Sequence, residues 1–436
     1  MNIAIIGAGY SGLTIAKKLE EKGNNVTIFE KNNSVGGMVS TVDLYDTKLE
    51  KYYRHIFKSD KEAIELIKEM GLENELIWPS TKMGYLTNRK IYEWGTPISL
   101  LKFKELNFFE KLRFGFNVVH LKLINNYKEL EKVTAEKWLK DRIGEKIYSK
   151  VWEPLLISKF GDKKDQISMA WLWGKIKLRS TSTTKEGEQL GYIKGSYQEL
   201  TNAFYKYLVE KNVKINLDTI VNKVEKENDK YIIKTEKDGL EESQKFDVVV
   251  STVDYNNFIN ICGEYMTKEE KEKAQKVKYT SARTMMIITN KSFSDFYWLN
   301  IGDNDIPFGG IIEHTNFINK NNYGDNHIIY ISNYMTEENK LYNVSKEEML
   351  QEYMKYLTQI NKDFTMENVI DYFVFDEKYA QPIIECKYSE FIMKDKLQNE
   401  NIYLCTMPQI YPEDRGMNYA IKLGNKVADE ILNEGN

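Results

Sequence analysis

The sequence predicts an α/β fold, α+β over its whole length. A parallel βαβ unit opens the chain and is interleaved with a second unit of β-sheet plus helices. Three observations predict it. Residues 2–6 (NIAII) form a short apolar run. A glycine-rich turn follows, and residues 12–23 then carry helical periodicity through Leu13, Ala16 and Leu19. Residues 26–30 (VTIFE) read as a second strand, which completes a βαβ unit in about 30 residues.

The chain is 436 residues long, enough for two or three domains. Residues 60–71 read as an amphipathic helix begun by Asp60 and stopped by Gly71. Residues 99–160 are mostly helical and rich in Phe, Leu and Trp. After a turn-rich stretch at 190–195 come a helix over 197–211 and strand-like runs at 213–217, 230–235 and 247–252. Residues 278–335 are β-rich, 345–361 helical, 402–406 a strand and 417–433 a final helix. No repeat or low-complexity linker separates these pieces. The expected partition is therefore one unit from 1–88, 190–262 and 386–436, and a second from 89–189 and 263–385.

Composition narrows the function. A formal net charge of -4 gives no basic footprint for nucleic acid. The three cysteines, Cys262, Cys386 and Cys405, include no CxxC pair, which argues against a zinc or redox-disulfide motif and fits a reducing compartment. The first residues read as a strand rather than a signal peptide, and no apolar run approaches the ~18 residues of a membrane span. The expectation is a cytoplasmic protein.

Gly7-x-Gly9-x-x-Gly12 lies between a predicted strand and a predicted helix. The first glycine permits a tight turn, the second lets backbone approach a pyrophosphate, and the third lets helix pack on strand. Tyr10 and Ser11 supply the helix N-terminus, whose free N–H groups favour phosphate. Glu30 follows at about the 20-residue spacing expected of an acid that holds a ribose, with Lys31 beside it. Together these predict a Rossmann-like dinucleotide site.

Residues 7–41 as a whole, including the pair Gly36-Gly37, resemble the flavin-containing amine oxidase superfamily, which includes protoporphyrinogen oxidases, carotenoid desaturases and UDP-galactopyranose mutases. The resemblance implies FAD as cofactor, with Gly36, Gly37 and Met38 packed near it. Residues 194–224 are similar to a family segment in which a strand reaches the adenine end, a place taken here by Val221. Residues 402–432 are similar to the family's C-terminal segment. There Gly416, Met417 and Asn418 open a helix implied to face the flavin pyrimidine, while Thr406-Met407 stand where relatives carry Gly-Asp. Cys405 lies where flavin-linking relatives use a cysteine, but its context differs, so non-covalent FAD is expected.

On the substrate side, Tyr53-Arg54-His55-Ile56-Phe57 resembles a His-Ile-Phe stretch of the mutases, with Tyr53-Arg54 in place of their Gly-Pro. Candidate active-site residues are His55, Arg415 and, on a predicted strand, His314. Residues 152–161, Trp171 and Trp173 read as an aromatic helical core. Residues 99–123 mix Phe and Leu with Lys and Arg, and read either as a basic face over a core or as a peripheral membrane contact admitting a lipid-like substrate. The resemblance implies an FAD-dependent oxidoreductase that passes hydride from a small-molecule substrate to flavin N5. That substrate would be a nucleotide-sugar or a lipid-linked molecule among other candidates. The alternative is a UDP-galactopyranose mutase-like sugar isomerase.

Overall fold

Five parallel strands form the sheet on which the molecule is organised. In spatial order they are Lys214–Asn216, Asn25–Phe29, Asn2–Ile6, Val248–Ser251 and Ile402–Leu404. The computed structural model describes residues 1–179, 183–184 and 187–434. The expected second unit, 89–189, thus includes a few residues outside the described set. Four of the five residues in each of Asn2–Ile6 and Asn25–Phe29 are buried, as a parallel sheet covered on both faces requires. The helices Tyr10–Glu20, Tyr197–Glu210 and Met417–Glu434 pack on this sheet through Leu13, Leu200, Phe204, Val427 and Ile431. The N-terminal and C-terminal helices run against each other.

A second sheet has seven strands in the order Val369–Pro382, Tyr279–Thr289, His327–Met335, Gly310–Glu313, Trp298–Ile301, Met83–Thr87 and Lys90–Trp94. Met83–Thr87 pairs parallel with Trp298–Ile301, so this strand, counted above with the nucleotide unit, belongs to the larger sheet. One face of the sheet is covered by the helix Lys346–Ile360 through Met349, Tyr353 and Leu357. A layer of helices between Pro97 and Arg179 packs Tyr148, Leu156, Phe160 and Trp171 into a core shared with Ala4, Phe29, Val249 and Leu404 of the parallel sheet. A three-stranded antiparallel ribbon, Ile220–Glu227, Lys230–Lys237 and Leu240–Phe246, follows the edge strand Lys214–Asn216.

The joint between first strand and first helix leaves no room for a side chain at Gly12. A Cβ added at Gly12 would lie 2.1 Å from the Gly7 carbonyl oxygen and 3.3 Å from Ile5 Cγ2. Both neighbours belong to the buried strand and turn and cannot swing away. Gly12→Val is therefore expected to lower stability by about 3 kcal/mol or more, read as a fall in the denaturant midpoint. An unchanged midpoint would contradict this packing.

Candidate functional site

The turn after the first strand walls a cavity of about 790 Å³. Gly7, Gly9, Tyr10, Ser11, Glu30, Lys31, Gly36, Gly37, Met38, Val221, Gly416 and Met417 all line it. Of the fourteen residues expected to hold a cofactor, only Gly12 and Asn418 stand back from it. Gly12 is at the packing joint, and the Asn418 side-chain oxygen accepts a hydrogen bond from Ala63 N at 3.1 Å.

The cradle is made of backbone. The helix Tyr10–Glu20 starts at Gly9 with no side-chain cap and no acid in its first turn, which leaves N–H groups for a ligand. A Cβ at Gly9 would meet no protein atom within 4 Å, whereas one at Gly37 would lie 3.1 Å from Gly9 Cα. Gly36 and Gly37 have φ of 110° and 58°, the left-handed region, which lets their loop lie this close to the turn. Glu30 is buried beneath. One carboxylate oxygen accepts Ala8 N–H at 2.8 Å and the other accepts Asn32 N–H at 3.0 Å and Asn32 Nδ2–H at 2.7 Å. A carboxylate offers about four acceptor positions, so one direction stays open for a hydroxyl.

Sequence reasoning missed part of the wall. Thr252, Val253 and Asp254 come from the loop after Val248–Ser251, Asn257 from the helix Tyr255–Cys262 that follows, and Val374 to Glu377 from the larger sheet. Arg54 also lines the cavity. It donates to the Met38 carbonyl, while its buried Nε–H has no acceptor among the described residues. Burial lowers the Arg54 pKa, assisted by Arg415. Cys405 lines the wall as well, its thiol pushed up to about 12 by burial.

A smaller cavity of about 190 Å³ continues from this one past Arg54 and Arg415, and a third of about 580 Å³ continues from that. His55 and Arg415 both line the small cavity. His55 Nδ1 is 3.1 Å from Tyr297 Oη, and its ring stands edge-on to Phe57. Arg415 donates at 2.6 Å to Tyr334 Oη and at 2.6 Å to Gln381 Oε1. The third cavity lies between the helical layer and the larger sheet. Its wall is mostly apolar, with Val151, Trp152, Leu155, Leu172, Ile176 and Trp298. Trp152 and Lys159, read as helical core, are cavity wall, whereas Phe160, Trp171 and Trp173 are indeed core.

Lys159, Lys175 and Tyr334 line both the small and the apolar cavity. Lys159 Nζ lies over the Tyr334 ring, 4.0 Å from its centroid, and Lys175 pairs with Asp414 at 2.7 Å. Burial drops the Lys159 ammonium to about 8, and Lys175 and Arg415 push the same way. Burial alone would raise the Tyr334 phenol, but Arg415, Lys159 and Lys175 together bring it down to about 7.

His314 lies elsewhere. It is buried among Tyr192, Phe317 and Tyr330, its Nε2 is 2.7 Å from Tyr323 Oη, and it lines none of the three cavities. Burial lowers its pKa from 6.5 to about 3. The unfolded chain therefore takes up a proton through pH 6.5 that the folded chain refuses until about pH 3, so this residue costs stability as pH falls through that window. Its neighbour Glu313, raised to about 6 by burial, acts in the opposite direction between 4.5 and 6. Comparing the wild type with His314→Gln isolates the histidine. Between about pH 6.5 and about pH 5 the variant should lose about 2 kcal/mol less than the wild type, measured by denaturant unfolding. Parallel pH profiles would refute a buried neutral imidazole.

The model of the flavin containing amine oxidoreductase family matches residues 10–379. Coproporphyrinogen III oxidase of Staphylococcus aureus is 27% identical over 180 residues, 38% of this chain and 38% of that enzyme, so the match spans well under half of the relative. The structure of putrescine oxidase bound to putrescine superposes with a TM-score of 0.77 at 15% identity, covering 99% of both chains. Reduced UDP-galactopyranose mutase gives 0.77 at 14% identity, covering 99% of this chain and 96% of that one. At these identities the structural likeness concerns the fold alone. Among the described residues no helix is long and apolar enough to cross a membrane. With most of its length matched by the family model and its architecture shared from end to end, the chain belongs to the flavin-containing amine oxidoreductase family.

Proposed function

We propose that the protein is an FAD-dependent oxidoreductase acting on a largely apolar small molecule. The observation that carries this reading is the run of three cavities, from a backbone cradle through a small junction into an apolar chamber of about 580 Å³. The cradle fits FAD on its own chemistry. Uncapped helix N–H groups at Gly9 suit a pyrophosphate, the open acceptor direction of Glu30 suits a ribose hydroxyl, and the buried Arg54 Nε–H awaits an acceptor. Bound there, FAD would supply hydride acceptance at its isoalloxazine ring. The start of the helix Met417–Glu434 and the Arg54 guanidinium both place positive potential on the cavity wall and so favour negative charge there. The aromatic and aliphatic walls of the apolar chamber orient the substrate and exclude water. His55 and Arg415 sit at the junction, where they can position the end of the substrate nearest the cofactor cradle.

The same apolar walls place the redox reading ahead of a sugar isomerase, since they offer few partners for sugar hydroxyls. Two variants and one reaction test it. Purified protein should carry FAD. Gly9→Val, whose Cβ meets no protein atom within 4 Å, should fold with near wild-type stability yet lose about tenfold or more in flavin affinity. Under anaerobic conditions, a substrate should bleach the oxidised flavin absorbance. Protein that takes up no flavin, or that turns over only after chemical reduction with no net redox change, would overturn the proposal.

The reading includes a peripheral membrane contact. On the helix Phe108–Leu123, Phe109, Leu112, Phe116, Val119 and Leu123 recur at helical spacing yet point outward, with Phe109 79% and Phe116 73% exposed. Ile98 and Leu101 of the preceding helix are also exposed, and Lys102, Lys104, Arg113 and Lys122 are exposed around them. Val119 belongs both to this patch and to the lining of the apolar cavity, as do its neighbours Gly115 and Val118 on the cavity side. An apolar stripe flanked by cations suits the surface of an anionic bilayer, through which an apolar substrate would reach the chamber. The wild type should co-sediment with vesicles containing phosphatidylglycerol. Replacing both Phe109 and Phe116 by Ser should lower vesicle affinity about tenfold without changing the melting temperature. Equal sedimentation of both proteins would remove the contact.

A further inference from the structure

We infer that the apolar cavity takes an anionic amphiphile, a carboxylate or phosphate on an apolar body, with Lys159, Lys175 and Arg415 holding the anionic end. The inference rests on the cavity being the substrate chamber and adds the substrate's class. It also separates this chain from oxidases of cationic amines.

The charge inventory of the walls carries the argument. Three lysines, Lys122, Lys159 and Lys175, line the apolar cavity, and no Asp or Glu lines it among the described residues. Lys122 is exposed at the surface end, whereas Lys159 and Lys175 also line the junction, where Arg415 and Arg54 join them. Two acids face the junction. Asp414 is taken up by Lys175 at 2.7 Å, and Asp60 accepts Phe57 N–H at 2.9 Å. Lys159 has no carboxylate partner among the described residues, and its ammonium rests on the face of Tyr334. Arg415 is turned to the same phenol oxygen.

Unpaired ammonium groups deep in a protein are costly unless something compensates them. Here the cavity wall itself is biased toward one sign, and a group entering from the apolar chamber meets Lys159 and Lys175 first. An anion gains charge-assisted hydrogen bonds at that point, whereas an alkylammonium is repelled. The apolar body then extends along Trp152, Leu155 and Leu172 toward Val119 and the surface.

The test is calorimetric titration of the purified holoprotein with octanoate, octyl phosphate, octan-1-ol and octylamine. Both anions should bind about tenfold or more tightly than the alcohol, the gain expected of a charge-assisted hydrogen bond, and the amine most weakly. Lys159→Gln should remove most of that preference and leave the alcohol within about twofold of wild type, with Lys159→Arg restoring it in part. Octanoate preferred over octyl phosphate, or the reverse, identifies which anion the site prefers. An alcohol or amine that binds as tightly as the anions overturns the inference, as does a Lys159→Gln variant that keeps the preference. Should Lys159→Gln fail to fold, Lys175→Gln and the wild-type ranking decide in the same way. The readout needs no turnover. An anion preference in protein that takes up no flavin would leave the subsite standing and remove the redox reading. Substrate bleaching without anion preference would do the opposite.

Discussion

Backbone N–H groups at a helix N-terminus have no partner within their own helix, and the organisation of this protein follows from where two such termini point. The helices Tyr10–Glu20 and Met417–Glu434 come from opposite ends of the chain, pack against each other, and both begin on the wall of one cavity. Ser11 Oγ donates to the Ala420 carbonyl at 3.3 Å, which ties the two first turns together. For this to happen, Asn2–Ile6 and Ile402–Leu404 must share a sheet with only Val248–Ser251 between them. The long segments between consecutive strands of this sheet therefore fold outside it. The larger sheet and the helical layer are built from those segments, and their shared boundary forms the apolar cavity.

Legibility followed the range of the interactions. The βαβ unit was readable because its parts touch near neighbours. Gly7, Gly12 and Glu30 act within one turn, one helix and one strand, and the spacing alone implies the geometry. The closing helix was readable from periodicity, and the structure places it at Met417–Glu434. Two things were not readable. Hydrophobic periodicity marks residues that avoid water but does not say whether they face other side chains or line a cavity. Trp152 and Trp171 looked alike in sequence, yet one lines the apolar chamber and the other is core. The junction was hidden for a different reason. Arg415 and His55 were singled out in sequence, but Lys159, Lys175 and Tyr334 sit on two helices and a strand, and no local pattern distinguishes them from the many other lysines and tyrosines of the chain.

The histidines show the same limit. His55 and His314 both looked usable, since imidazole chemistry is local. Only the tertiary structure sends one to the cavity junction and the other into a shell of aromatic rings. The stretch 99–123 admitted two readings because its apolar residues suffice in number for a core. The structure buries part of the stretch and exposes the rest. Phe103, Leu106 and Leu121 turn inward, while the stripe from Phe109 to Leu123 turns out.

The junction raises the question of how a fold tolerates several cations so far from bulk water. Asp414 answers for one, since its pairing with Lys175 overcomes burial and holds the carboxyl below its ordinary range. Tyr334 answers for part of the rest. A buried phenol ordinarily resists ionisation, yet Arg415 and Lys159 both approach this one and draw it down to about 7. Arg415 is raised in turn, since Tyr334 and Asp414 outweigh the cost of its burial. Tyr334 is thus a partner that Arg415 and Lys159 share, and their charge makes its phenol more acidic than an ordinary buried one. A fixed carboxylate in the place of Tyr334 would neutralise Arg415 and Lys159 permanently. A phenylalanine there would keep the ring face under Lys159 but take the phenol oxygen from Arg415, leaving it Gln381 and the nearby Asp414.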